Sequence, residues 1–179
     1  LKDTDLDGYE VSSDGLNGKD DLSGIEVLIA SNNDDNLIGS DGNDTLIGAG
    51  GNDTISGGLG ADDLRGYGLS TGTDSHLDTV SYAYVGSLNS VTVDLSAGSG
   101  LVTVGTDTSD TDTLTGFENV IGGAGADNIT GSSVANIIKA GSGADIITGG
   151  AGADDLQGEA GNDTFKATSV NDGVDTIDG

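Results

Sequence analysis

A nine-residue repeat is the feature that most constrains how this chain can fold. The unit reads glycine, small residue, any residue, glycine, any residue, aspartate, any residue, large apolar residue, any residue, as in GSDGNDTLI at 39–47. The same frame returns at 48–56, 57–65, 122–130, 140–148, 149–157 and 158–166. Self-similarity at a short fixed period predicts a stack of repeated turns, in which each repeat contacts its neighbours.

Holding this frame of nine gives two arrays, residues 21–65 and 113–175. The eighth place is apolar throughout: Leu28, Leu37, Leu46, Ile55 and Leu64, then Val120, Ile129, Ile138, Ile147, Leu156, Phe165 and Val174. The sixth place is polar and almost always acidic: Glu26, Asp35, Asp44, Asp53 and Asp62, then Glu118, Asp127, Asn136, Asp145, Asp154, Asp163 and Asp172. One apolar and one acidic place in each unit indicate one inward-facing residue and one polar site per repeat.

The unit divides into a glycine-rich turn and a three-residue strand. Two units then form one coil of eighteen residues, and stacked coils form parallel sheets around a thin aliphatic core. The predicted fold is all-β: a parallel β-roll, or β-helix solenoid, in two arrays joined by a strand-rich insert. We predict an acidic segment at 1–20, a first array at 21–66, an insert at 67–112 with strands at 79–85, 90–95 and 101–104, and a second array at 113–179. The Glu26 and Glu118 lead-ins are predicted N-terminal caps.

Composition shows that hydrophobic burial alone cannot hold this fold. The chain has 31 acidic and 5 basic residues, a net charge of −26, 33 glycines and no cysteine. High charge with few aromatic residues is typical of disordered chains, so a cation that neutralises the carboxylates must supply the missing stability. The acidity excludes nucleic acid as a partner, and no apolar run is long enough to span a membrane.

The coil geometry predicts where such cations bind. Sixth-place side chains eighteen residues apart lie one above the other, giving the pairs 35/53, 44/62, 127/145, 136/154, 145/163 and 154/172. Calcium takes six to eight oxygen ligands, which two carboxylates and several turn carbonyls can provide. The sequence therefore predicts several Ca²⁺ ions as cofactor, each joining two successive coils, so that binding and folding are one event.

Both arrays resemble the RTX calcium-binding repeats of bacterial proteins exported by type I secretion. The resemblance implies a right-handed parallel β-roll that is unfolded in a low-calcium cytosol and folds outside the cell, with a secreted or cell-surface location. It implies metal ligation by the sixth-place aspartates, Asp35, Asp44, Asp53, Asp62, Asp127, Asp145, Asp154, Asp163 and Asp172. It implies further ligation by carbonyls of the turn glycines, Gly39, Gly42, Gly48, Gly51, Gly57, Gly60, Gly122, Gly125, Gly143, Gly149, Gly152, Gly158 and Gly161.

Several further residues are candidate ligands. Asp3, Asp5, Asp7 and Asp14 resemble the start of an EF-hand-type or thrombospondin-type calcium loop, although an acidic linker explains them equally well. Glu26, Glu118 and Asn136 stand in sixth places without an aspartate. Asn136 lies in a unit with Val134 in place of glycine, so we expect a weak or vacant site there. Val170 likewise replaces glycine before Asp172, which puts the last site in doubt.

Three functions remain open from the sequence. The first is a non-catalytic calcium-binding module of a secreted bacterial protein, whose mechanism is calcium-triggered folding. The second is an adhesin or surface-layer building block, in which calcium also drives self-association. The third is a carbohydrate-binding accessory module, with the insert and its Tyr82 and Tyr84 contacting cell-surface glycans. We predict no catalytic site. Residues 68–72 match the hydrolase elbow pattern, but they lie in a Gly/Ser-rich stretch instead of a strand-to-helix turn, and the chain's only histidine, His76, is just six residues away.

Overall fold

The computed structural model describes residues 9–11, 20–22, 27–67, 76–96, 99–104, 111–167 and 173–179. Every regular element in these ranges is a strand, so the described part holds no helix that could cross a membrane. The strands are β1 (Tyr9–Val11), β2 (Asp20–Leu22), β3 (Val27–Ile29), β4 (Asn36–Ile38), β5 (Thr45–Ala49), β6 (Thr54–Ser56), β7 (Asp63–Tyr67), β8 (Thr79–Ser81), β9 (Val91–Asp94), β10 (Ser99–Val104), β11 (Thr111–Thr115), β12 (Asn119–Ile121), β13 (Asn128–Thr130), β14 (Ile137–Lys139), β15 (Ser142–Gly143), β16 (Ile146–Thr148), β17 (Asp155–Gln157), β18 (Ala160–Gly161), β19 (Thr164–Lys166) and β20 (Thr176–Asp178).

Two nine-stranded sheets face each other, and the chain alternates between them within each array. Sheet A has the order β2-β1-β4-β6-β8-β12-β14-β17-β20, and sheet B has the order β3-β5-β7-β11-β10-β9-β13-β16-β19. Neighbouring strands are parallel, except where β1 meets β2 and β4 and where β10 meets β9 and β11. The predicted parallel β-roll is therefore confirmed.

The core is two ladders of apolar side chains, one from each sheet. Strand register places the eighth-place residues side by side, as in Leu28↔Leu46↔Leu64 of sheet B. In sheet A, Leu37 pairs with Ile55 in the same way. Because alternate side chains of a strand point to opposite faces, one residue per short strand enters the core. These ladder residues are almost completely buried.

The segment between the arrays continues both sheets. β8 lies between β6 and β12 in sheet A, while β11, β10 and β9 lie between β7 and β13 in sheet B. The strands predicted at 79–85, 90–95 and 101–104 correspond to β8, β9 and β10. The prediction that Glu118 caps the second array is wrong, because β12 directly after it pairs with β8 as well as β14. Glu118 thus lies inside the stack.

The last turn departs from the frame of nine. β20 pairs with β17 so that Ile177 lies beside Leu156, three residues later than a strict repeat requires. Val174, expected to face inward, has 90% of its surface exposed. The longer turn shifts the register, and Asp175 and Ile177 occupy the places that the sequence pattern gave to Asp172 and Val174. The domain boundaries themselves stay a prediction.

Candidate functional site

Two rows of polar side chains run along the roll, each just before the strands of one sheet. Row A, before the strands of sheet A, consists of Asp35, Asp53, Asp78, Glu118, Asn136, Asp154 and Asp175. Row B, before the strands of sheet B, consists of Asp44, Asp62, Asp112, Asp127, Asp145 and Asp163. Most of these side chains are buried. The strand register places them here, since each immediately precedes a strand, except Asp112, which is the second residue of β11.

Each row is held together by hydrogen bonds between successive coils. The backbone N–H of Asp35 donates to Oδ1 of Asp53 at 2.8 Å. In row B, the N–H of Asp127 donates to Oδ1 of Asp145 at 2.8 Å, and that of Asp145 to Oδ1 of Asp163 at 3.0 Å. The predicted pairs 44/62 and 136/154 are joined in the same way. One carboxylate oxygen per residue thus serves the backbone of its neighbour.

The second carboxylate oxygen differs from turn to turn. Oδ2 of Asp44 accepts the N–H of Ser40, and Oδ2 of Asp127 accepts the N–H of Gly123. Within the described part of the chain, Oδ2 of Asp53, Oδ2 of Asp145 and Oδ1 of Asp35 are buried and have no hydrogen-bond donor. An unsatisfied carboxylate oxygen in the interior is costly, so these three atoms call for a positive partner.

Burial perturbs the acidity of these groups. Loss of solvation raises the pKa of Asp44, Asp127 and Asp145 above the usual value, although backbone N–H groups partly oppose the change. Burial raises the pKa of Asp53 to about 6, and the adjacent carboxylates of Asp78 and Asp35 add to the effect. The metal-free rows therefore hold their negative charge at a cost that a bound cation would remove.

The first-place glycines of the turns leave space for the sixth-place carboxylates. A Cβ on a first-place glycine would overlap the sixth-place side chain of the same turn, as at Gly39, where Oδ2 of Asp44 would lie 2.7 Å away. The same crowding occurs at Gly48, Gly57, Gly122, Gly149 and Gly158. These glycines are therefore required by the close approach of the carboxylate.

The fourth-place glycines bring turns of successive coils together. At Gly60, whose φ is +118°, a Cβ would lie 2.6 Å from the carbonyl oxygen of Gly42 in the neighbouring turn. Gly51, Gly125, Gly143, Gly152 and Gly161 would also overlap backbone of the adjacent coil. Gly42 is different, because its nearest neighbour would be Ser40 Oγ at 3.7 Å. Turn carbonyls thus lie beside the rows of carboxylates.

The carboxylate and carbonyl oxygens along the two rows are ligands that suit a hard cation. Among the described residues, no three carboxylate, imidazole or thiol side chains gather into a cluster that could hold an ion by themselves. An ion would need paired carboxylates together with turn carbonyls, an all-oxygen set that suits calcium. The donorless oxygens of Asp53 and Asp145 mark where the protein itself leaves negative charge uncompensated.

Three row members were missed by the sequence frame. Asp78 Oδ1 accepts the N–H of Asp53 at 2.8 Å, and Asp112 Oδ1 accepts that of Asp62 at 3.0 Å. Asp175 Oδ1 accepts the N–H of Asp154 at 3.1 Å. Each is followed by threonine and an apolar residue, as Asp44 is, so this short signature would have found them without the strict spacing.

The coil around Asn136 is irregular. Asn136 Nδ2 donates to the backbone carbonyl of Glu118 and, at 3.0 Å, to Ser132 Oγ. Glu118 Oε2 accepts the N–H of Asp78 at 3.0 Å, so its side chain points toward the preceding coil. An amide therefore supplies donors where most turns have a carboxylate, and the weak or vacant site expected there stays a prediction.

Some predicted ligands cannot be placed. Asp3, Asp5, Asp7, Asp14, Glu26 and Asp172 lie outside the described residues. Their assignment as ligands stays a prediction.

The family comparison agrees with the geometry. The family model of the RTX calcium-binding nonapeptide repeat matches residues 29–64, 112–133 and 130–165, which together make up half of the chain. The matched ranges contain most members of both rows and stop on either side of the segment with β8, β9 and β10. Among curated proteins, no sequence matches the chain significantly.

Proposed function

The chain belongs to the RTX calcium-binding nonapeptide repeat family and is a calcium-binding structural module, and on that premise we propose that it folds when calcium binds outside the cell. The parent protein is a secreted bacterial protein, and this module plays a non-catalytic role in it. The proposal has two parts: calcium drives the folding, and the change of compartment provides the calcium.

Buried carboxylate oxygens without a hydrogen-bond donor support the proposal that calcium drives folding. Asp35, Asp53 and Asp145 are almost fully buried and each has a carboxylate oxygen with no donor in the described part. Leaving a buried charge uncompensated costs several kcal/mol, by order of magnitude. A cation between coils removes this cost and links two turns at once. The sixth-place aspartates and the turn carbonyls named above are therefore the proposed ligands.

Net charge makes the metal-free state unfavourable. The chain carries −26, and compaction brings those charges together. Because a calcium ion binds the folded state and not the open chain, each site adds stability by linkage, about 2.7 kcal/mol when calcium is 100 times its dissociation constant. Several such sites acting together make folding depend steeply on the calcium concentration.

The proposal that folding occurs outside the cell depends on the calcium concentration in each compartment. Calcium sites of extracellular modules have dissociation constants of about 10⁻⁴–10⁻³ M, which a low-calcium cytosol does not fill. RTX proteins are typically secreted by bacteria. A module that stays open inside the cell and condenses outside suits export of an unfolded chain, so we place this module in a type I secreted protein.

The direct test is far-UV circular dichroism in chelator and then in rising calcium, with magnesium as the control ion. We expect a cooperative coil-to-β transition with calcium alone, because magnesium demands octahedral geometry and sheds its water reluctantly. A chain that is already β-structured in chelator, or that responds equally to magnesium, would refute calcium-triggered folding.

Assembly through calcium is the second candidate. On the outer faces of the sheets, Val27 and Ile29 of β3 have 54% and 51% of their surface exposed, and Ile137 of β14 has 42% exposed. Apolar side chains exposed on the outer face of a sheet favour packing against another chain. Sedimentation velocity in calcium and in chelator tests this role, and a monomer at all calcium concentrations would contradict it.

A glycan-binding role draws less support. Of the two aromatic residues that the sequence offered for stacking on sugars, Tyr82 is completely buried and Tyr84 is 40% exposed. A single exposed ring is a small platform for a carbohydrate. Binding of cell-surface glycans to a Tyr84→Ala variant at wild-type affinity would rule out that platform.

A further inference from the structure

The turn between β8 and β9 lacks the features of the repeat. Tyr82 directly follows β8, at the first place where turns such as 39–44 and 57–62 have glycine. Its side chain is completely buried, as is that of Asp112. A large phenol ring thus lies at row B, at the place where a regular turn begins with glycine.

The hydroxyl of Tyr82 is bonded to the row itself. It donates to Oδ2 of Asp112 at 2.8 Å, while Oδ1 of Asp112 accepts the backbone N–H of Asp62 at 3.0 Å. Both oxygens of this buried carboxylate therefore have a donor, and one donor is a side-chain hydroxyl, whereas both donors to Asp127 are backbone N–H groups. Asp145, in the same row, has a donor on Oδ1 but none on Oδ2 within the described residues.

A second tyrosine, Tyr84, also forms a hydrogen bond on this side of the roll. Tyr84 lies beside Tyr82, with ring centroids 6.1 Å apart, and its hydroxyl donates to the carbonyl oxygen of Gly58. Gly58 belongs to the turn that ends at Asp62. One carboxylate and one turn carbonyl, the two ligand types that calcium needs, are thus engaged by protein hydroxyls.

Row B also loses its regular neighbour at this point. In sheet B the residue beside Asp112 in the next strand is Val102 of β10, which runs antiparallel. The row resumes at Asp127, whose Oδ1 accepts the N–H of Val91. On this side of Asp112, the adjacent strand β10 offers no carboxylate to share an ion, and the neighbouring member of row B is Asp62 on the other side.

We propose that the Tyr82 hydroxyl takes the place of a calcium ion at Asp112, so that row B carries two separate groups of ions with an ion-free coil between them. The inference rests on the proposed calcium function of the regular turns. Burial and the adjacent Asp112 raise the pKa of Tyr82 well above its usual value, so the hydroxyl keeps its proton and remains a donor. In row B, the ions of the first array are then separated from those of the second by a coil that protein hydrogen bonds hold.

The test counts bound calcium by equilibrium dialysis for the wild type, Asp112→Asn and Asp145→Asn. Asparagine has nearly the same shape as aspartate and keeps one oxygen for the row hydrogen bond. We expect Asp145→Asn to lose at least one ion and Asp112→Asn to lose none. Loss of an ion from folded Asp112→Asn would overturn the inference. A wild type that binds no calcium, or an Asp145→Asn that keeps every ion, would instead refute the proposed function.

A second variant covers the case in which Asp112→Asn does not fold. Tyr82→Phe removes the hydroxyl and leaves Oδ2 of Asp112 buried without its donor. We expect the folding constant at fixed calcium to fall about fivefold or more, which moves the calcium midpoint upward. The matched control is Tyr67→Phe, which removes a hydroxyl from a half-buried tyrosine away from Asp112. A midpoint that moves no further in Tyr82→Phe than in the control would overturn the inference.

Discussion

Replacing Asp145 by asparagine should change stability in opposite directions with and without calcium. Asp145 is 1% exposed, and its Oδ1 accepts the N–H of Asp127 while its Oδ2 has no donor in the described part. It belongs to two of the predicted calcium-binding pairs of carboxylates, one with Asp127 and one with Asp163. The substitution keeps the Oδ1 acceptor and removes the uncompensated charge, so it separates the metal contribution from the packing contribution.

The magnitude follows from the two roles of the side chain. With calcium at 100 times the dissociation constant, each lost site costs about 2.7 kcal/mol, so one or two sites cost about 3–5 kcal/mol. In a chain of this size about 1 kcal/mol shifts the melting temperature by about 2–4 °C, which predicts a decrease of about 5–20 °C. Without calcium, replacing the buried charge by a neutral amide should raise stability by about 1–3 kcal/mol, because a neutral polar group costs less to bury than an uncompensated carboxylate.

Thermal unfolding followed by circular dichroism measures both effects. The calcium series uses saturating ion, and the chelator series uses sucrose, which favours the compact state enough for a transition to be seen. Asp178→Asn is the matched control, since it removes one charge from an exposed residue. A decrease in melting temperature of equal size in both series would refute the reasoning, because it would show that Asp145 acts through packing alone.

Three further predictions concern protons, glycine and the irregular coil. Because burial raises the pKa of Asp53 to about 6, the metal-free fold binds protons more tightly than the open chain does, so in chelator the β signal should increase as pH falls from about 6 to 4. In calcium, protons compete with the ion, so stability should decrease over the same pH range. A change of stability in the same direction in chelator and in calcium would contradict this prediction. Gly60→Ala should lower the melting temperature by several degrees, since φ is +118° and the new Cβ would lie 2.6 Å from the Gly42 carbonyl oxygen; Gly42→Ala, which has open space, is the control and should change it little. Asn136→Asp should bind one more calcium ion by dialysis and be less stable than the wild type in chelator, because a charge replaces the amide donor to Glu118; an unchanged ion count would contradict it.

The regular parts of the roll were predictable because one rule repeats. The eighth-place ladder from Leu28 to Leu64 and the paired carboxylates 35/53 and 127/145 follow directly from a coil of eighteen residues. Each coil contacts only its neighbours, so local spacing decides long-range contacts as long as every turn has the same length.

The prediction failed where a turn changed length. Val174 was assigned inward by strict counting, whereas the longer last turn gives that place to Ile177. Asp78 and Asp112 were overlooked for the same reason: they enter the rows 25 residues after Asp53 and 50 residues after Asp62. A fixed sequence spacing does not predict the number of residues in a loop that separates two neighbouring strands of the sheet.

The sequence by itself determined the type of fold, the alternation of apolar and acidic places, and calcium as the ion, because a chain with a net charge of −26 and so many tandem glycine turns has few other ways to become compact. Tertiary structure alone decided that the two arrays share continuous sheets, and that Asp112 meets a tyrosine hydroxyl at 2.8 Å. The physical reason is that nearest-neighbour stacking is encoded in a repeat, whereas a contact between residues 82 and 112 depends on the path of a segment that follows no repeat.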